Sequence, residues 1–105
     1  MAILKEILED SLDYYLDLDR RLRARLKELP RGSILKRRIG RKDYFYLNYR
    51  NGKRVVSRYL GKDEPKEIDS GIKERRLIKA QLKEVAENLR LLERLDKRKR
   101  HGRPI

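Results

Sequence analysis

The chain reads as an α+β fold: a long helix, a three-stranded antiparallel meander and a second long helix, with coiled-coil seams on both helices. Three observations predict it. Apolar positions recur at alternating spacings of four and three over residues 2–29 and again over 78–92, the period of a helix face. Between them, Gly32 to Lys62 holds five of the seven aromatic residues and is broken by Gly40 and by Asn51-Gly52, the make-up of short strands and tight turns. Charge follows the same division. Residues 30–62 carry eleven bases and one acid, while 1–29 and 63–92 are close to neutral. At 105 residues the chain fits one domain. Its expected parts are a helix over 1–30, a basic sheet over 31–62, a connection over 63–69, a helix over 70–97 and a basic disordered tail over 98–105.

In the first helix the seam runs Leu4, Leu8, Ser11, Tyr15, Leu18, Leu22, Arg25 and Leu29, and Ile7, Leu12, Tyr14 and Leu26 widen it. Acids come early (Glu6, Glu9, Asp10, Asp13) and bases late (Arg20, Arg21, Arg23, Arg25, Lys27). That order complements the helix dipole. Pro30 and Gly32 then stop the helix.

Three strands should follow. Asn51-Gly52 signals a two-residue type I′ hairpin, which places Arg50 opposite Lys53, Leu47 opposite Val56 and Phe45 opposite Arg58. The earlier turn, Gly40 to Asp43, joins Ser33–Ile39 to Tyr44–Arg50; a two- or four-residue loop is expected, with Ile39 paired to Tyr44, and a three-residue loop would flip the first strand over. One face then carries Leu35, Arg37, Ile39, Tyr44, Tyr46, Asn48, Val55, Ser57 and Tyr59. The other carries Ile34, Lys36, Arg38, Phe45, Leu47, Tyr49, Val56, Arg58 and Leu60. Phe45 and Leu47 are the better core residues, so the second face is expected to point inward, with Arg38 and Arg58 flanking Phe45. After Gly61, a polar connection containing Pro65 leads to a helix expected to start near Asp69 or Ser70, either of which can cap it. Its seam is Ile78, Leu82, Val85, Leu89 and Leu92, which should pair with the first helix, with a partner chain, or with both.

Composition excludes several classes. With no cysteine there are no disulfides and no thiolate metal sites. No apolar run approaches a membrane span, and the N-terminus lacks a basic-then-apolar signal pattern. A cytoplasmic protein is therefore expected. The only histidine, His101, falls in the expected tail, where nothing orients it. Ser11, Ser33, Ser57 and Ser70 have no base nearby in sequence, and Asp43 is the only acid of the basic segment and is expected in a turn. Metal-dependent nucleases need converging carboxylates, and the glycines are scattered singly at turns rather than gathered in a phosphate-cradling loop. No catalytic residue, metal or cofactor is expected.

What remains is the basic, tyrosine-bearing sheet. Lysine and arginine gain affinity for a polyanion by releasing its counterions, without catalytic geometry. Arginine also suits bidentate contact with guanine, and a ribbon of strands fits the major groove. Tyrosine offers a hydroxyl to phosphate or a ring to an unpaired base. The candidate contacts are Lys36, Arg37, Arg38, Arg41, Lys42, Arg50, Lys53, Arg54 and Arg58, with Tyr44, Tyr46 and Tyr59 on the face left open. The competing reading is structural, since tyrosine is a good strand residue and basic side chains protect sheet edges from aggregation. In the tail, Arg94, Lys97 to Arg100 and Arg103 could meet phosphate or simply aid solubility.

The run from Lys36 to Lys62, with its Y-F-Y-L strand, N-G turn and terminal Y-L-G-K, resembles a segment of small uncharacterised bacterial and archaeal proteins. It also looks like the N-terminal regions of some transposase-like proteins. Lys36–Arg38, Tyr44–Tyr46 and Gly52–Arg54 are similar to the pattern of the arm-type DNA-binding domain of tyrosine recombinases. That resemblance implies a three-stranded sheet lying in a major groove, but the long first helix departs from it and no catalytic domain is present. The helix–hairpin–helix plan is similar to prefoldin-type chaperone subunits in length and seams, though not in charge or in the tyrosine-arginine strands. The expected function is non-enzymatic nucleic-acid binding, DNA before RNA, with no membrane partner and with a homodimer through the helices left open. The alternative is an oligomeric coiled-coil interaction or chaperone-like module whose basic sheet is merely solvated.

Overall fold

The computed structural model describes residues 2–101, and the side chains of residues 3–96. The order is α1 (Ala2–Glu28), β1 (Ser33–Ile39), β2 (Lys42–Asn51), β3 (Arg54–Gly61) and α2 (Lys66–His101). The strands form one antiparallel sheet in the order β1-β2-β3. The α+β architecture read from the sequence is therefore the one observed. The chain divides into two compact units, one spanning Glu28–Leu77 and the other drawing on Met1–Lys27 and Ile78–Ile105.

In the helical unit, Ile78 and Val85 are 5% and 4% exposed. Leu82, Leu89 and Leu92 are half-buried beside them, so the expected seam of α2 holds throughout. On α1 the half-buried stripe runs Leu8, Ser11, Leu12, Tyr15, Leu18, Leu22 and Leu26, and Leu29 is buried. Two expected seam positions fall outside it. Leu4 is 63% exposed, and Arg25 is exposed while Leu26 takes its place. A straight helix of 3.6 residues per turn drifts off a strict 3.5 repeat, and here it drifts from a charged residue to a leucine. On the outer surface Asp17–Arg21 and Asp19–Arg23 form i,i+4 ion pairs at 3.0 Å, each worth a few tenths of a kcal/mol.

Both hairpins differ from expectation by two residues of register. Ile39 pairs with Lys42, not Tyr44, and Asn51 pairs with Arg54. The turn centres are thus Gly40-Arg41 and Gly52-Lys53. Gly40 and Gly52 both have φ of 66°, and no non-glycine residue among those described has positive φ. Positive φ at the first central position alone is the type II′ pattern, not type I′. Because the slip is even, the paired side chains keep their expected faces, and Leu60 alone falls at a break in the β3 ladder. The new register sets Ile34 opposite Leu47 and Lys36 opposite Phe45. Arg58 faces Leu47, and a bulge between Phe45 and Tyr46 brings Gly61 beside Phe45. Phe45 is therefore not flanked by Arg38 and Arg58; one neighbour is a glycine with no side chain to compete.

Leu29, Leu47 and Ile72 are the buried apolar side chains of the sheet unit, Leu47 at 6% exposure. The core thus lies on the Leu47 side of the sheet, as expected, and Ile34 and Val56 are half-buried on it.

The second helix departs from expectation at both ends. It starts at Lys66 rather than near Asp69 or Ser70. The Pro65 carbonyl accepts the Asp69 N–H at 3.0 Å, so Pro65 holds the cap position, where its missing N–H costs nothing. Glu67 and Asp69 place negative charge in the first turn. At the other end, residues 98–101, expected as disordered tail, continue the helix, and His101 is its last residue. The run of seven residues from Glu93 to Lys99 contains no Gly or Pro, so nothing local stops it. The rest of the expected tail, Arg103 included, lies outside the described residues.

Gly71 sits inside α2 because the Pro30 ring occupies the space a side chain would need. A Cβ there would lie 2.7 Å from Pro30 Cδ and 2.8 Å from Cγ. Alanine is the better helix former by about 1 kcal/mol, but overpacking against a rigid ring costs about 1–3 kcal/mol. Gly71→Ala is expected to lower stability by about 1 kcal/mol net, read from the urea midpoint. A rise would show that Pro30 moves aside freely.

Candidate nucleic-acid interface

Alternation along the strands decides which of the basic and tyrosine side chains stand together. On the face away from Leu47, β1 contributes Leu35, Arg37 and Ile39, β2 contributes Lys42, Tyr44, Tyr46, Asn48 and Arg50, and β3 contributes Val55, Ser57 and Tyr59. Cross-strand pairing sets Leu35, Tyr46 and Tyr59 in one row and Arg37 beside Tyr44 in the next. The Tyr46 and Tyr59 rings are 5.4 Å apart at 52°, and the Tyr44 and Tyr59 rings 6.3 Å apart at 43°. The Arg37 guanidinium carbon stands 5.7 Å from the centre of the Tyr46 ring, within range of a cation–π contact. Tyr59 is 52% exposed, and Tyr44 and Tyr46 are half-buried among these neighbours.

The expected site residues do not form one surface. Arg37, Lys42, Tyr44, Tyr46, Arg50 and Tyr59 share this open face. Lys36, Arg38, Arg54 and Arg58 belong to the opposite face, the one that holds Leu47. Arg41 and Lys53 sit at the turns at opposite ends of the sheet. All nine cations are exposed.

The sheet's one acid lies on the Leu47 face too. Asp43 is a β2 residue opposite Arg38, not a turn residue. Its Oδ2 is 3.5 Å from the exposed Lys36 Nζ, so the pair contributes at most about 1 kcal/mol, while its Oδ1 is buried without a hydrogen-bond partner. Among the described residues no other cation of the sheet is paired with a carboxylate. The open face therefore carries Arg37, Lys42 and Arg50 with no acid among its residues. Asn48, placed on this face by the sequence but not counted in the site, lies between Ser33 and Ser57. Its Oδ1 is buried without a hydrogen-bond partner.

Among the described residues there is no group of three or more His, Cys, Asp or Glu side chains that could hold a metal ion. Among them, too, no helix is long and apolar enough to cross a membrane.

A helix, a basic antiparallel meander and a second helix define a small α+β protein with a cationic, tyrosine-bearing sheet face. The chain belongs to the family described as Domain of unknown function (DUF6788), whose model matches residues 5–70. That match takes in most of α1, the whole sheet and the start of α2. No curated protein and no solved structure matches the chain.

Proposed function

We propose that this is a non-enzymatic, cytoplasmic nucleic-acid-binding protein that prefers DNA, meeting phosphates and bases through the basic sheet. The supporting observation is the unopposed charge of the open face: Arg37, Lys42 and Arg50, with Arg41 and Lys53 at the adjoining turns. A charge kept for solubility would be interspersed with acids, whereas an acid-free cluster on one face raises the local concentration of an anionic polymer. The resemblance to the recombinase arm-type domain points the same way, because there too a three-stranded sheet meets DNA.

A second reading draws on a different observation. Ile3, Leu4, Ile7, Leu91 and Leu95 are each more than half exposed on the helices, which favours an oligomeric coiled-coil or chaperone-like module, and a homodimer through the helices. Salt separates the two. In a mobility-shift titration with duplex and single-stranded probes at two salt concentrations, a binder loses affinity steeply as salt rises. A chaperone-like module shows little such dependence and suppresses the aggregation of an unfolded client.

A further inference from the structure

We infer that the open sheet face is a stacking platform for unpaired bases of a single-stranded nucleic acid. In this assignment Tyr44, Tyr46 and Tyr59 carry the bases, and Arg37, Lys42 and Arg50 hold the phosphates. The inference rests on the nucleic-acid reading above and adds to it the strand state and the face used.

Three observations carry it. The first is the tilt of the rings. At 43° and 52° the tyrosines meet without stacking face to face on one another, so π-faces remain for a ligand. Every base offers a π-face in return, once it is unpaired. The second is their placement: Tyr44 and Tyr46 stand on the central strand β2, and Tyr59 lies beside them on β3. Phosphate contacts need only hydroxyls or cations at a rim, and a duplex shields the flat faces of its bases from a side chain. Central rings with cations around them suit a strand whose bases turn inward and whose backbone runs outside. Arg37 joins the two functions: it lies over Tyr46 and has no carboxylate partner among the described residues, so it can turn to a phosphate or cover a stacked base.

The third observation separates nucleic acid from a second copy of the chain. Leu35, Ile39 and Val55 are 40%, 57% and 68% exposed on this face, and such a patch can also serve a protein partner. In a two-fold dimer, however, the same patch meets itself. The cations Arg37, Lys42 and Arg50 of the two copies would then share one interface with no acid among them. An anionic strand removes that repulsion.

The test uses the whole chain and one mixed-sequence 5′-labelled oligonucleotide, offered as single-stranded DNA, as the same sequence in RNA and as a DNA duplex. Binding is followed by anisotropy for the wild type, Tyr59→Leu and Tyr46→Leu/Tyr59→Leu. The chain has no tryptophan and six tyrosines, three of them on this face, so quenching of its own fluorescence, compared between the wild type and the variants, gives a second readout. The single strands should bind more tightly than the duplex and quench the tyrosines. Each ring lost should weaken single-strand binding about 5- to 150-fold while changing duplex binding less than about twofold. Tyr59 is the most exposed ring, so its single variant stays informative if the double variant misfolds. If salt-dependent binding is found but is indifferent to strand state and to the tyrosines, the platform is wrong and the phosphate reading stands. If no probe binds, both fail. If the variants change self-association instead, the face is an interface between copies and the inference is overturned.

Discussion

Replacing Gly32 with alanine is expected to cost about 3 kcal/mol or more and to lower the thermal midpoint by about 12 °C or more. Gly32 links the end of α1 to β1 with φ of 113°, a conformation that L side chains rarely adopt. An added Cβ would also run into the Asn48 carbonyl oxygen and press on Tyr49 Cβ at 3.0 Å. Neither obstacle can swing away, because Asn48 is held in β2 between Ser33 and Ser57. Relief requires β1 to move off β2, which breaks pairing from Ser33 onward. Gly40 and Gly52 serve as controls: their φ is also positive, but nothing lies within 4 Å of an added Cβ. Alanine at either should cost only the backbone term, about 1 kcal/mol. Against a total stability of about 5–15 kcal/mol, the Gly32 variant should be visibly marginal. A Gly32→Ala midpoint equal to that of Gly40→Ala would show that the link to β1 is not the tight crossing described above.

The second large effect concerns charge. Changing Arg37, Lys42 and Arg50 together to glutamine should flatten the dependence of log affinity on log salt by about 2 to 3 units, since each phosphate contact contributes about 0.7 to 0.9. These side chains are exposed and, among the described residues, form no ion pair, so stability should move by no more than about 1 kcal/mol, most of it from the lost Arg37–Tyr46 contact. The same change at Arg38, Arg54 and Arg58 removes equal charge from the Leu47 face and should flatten the slope less. Equal flattening by both triples would mean that the net charge of the sheet matters and its faces do not.

Much of this was legible in the residues. The seams of Ile78 to Leu92 and of Leu8 to Leu22 are periodic enough to define both helices, and Phe45 and Leu47 point to the inward face. Face assignment survived a wrong register because strand parity is unchanged by a slip of two. The register itself was not legible. Asn51-Gly52 favours a turn centred on that pair, but Gly52 stands first in the turn, which with the bulge leaves Phe45 beside Gly61, while the Gly40-Arg41 turn sets Ile34 opposite Leu47. That preference comes from packing across all three strands. The bulge near Leu60 has the same origin. The start of α2 was missed because Pro65 reads as part of a connection, when its fixed φ also suits a helix start. The role of Gly71 depends on Pro30, forty-one positions away, and no local signal announces it. Within the candidate site, the residue types were plain and their division between two faces followed from alternation. The Arg37–Tyr46 contact and the lone-pair position of Asn48 needed coordinates.

The most direct test of the nucleic-acid reading is the slope of log affinity against log salt for the wild-type chain, measured from 50 to 200 mM. With about five cations on or beside the open face, a duplex slope near −4.5 is expected, or a loss of roughly 500-fold across that range. A slope near zero, with or without binding, would contradict it.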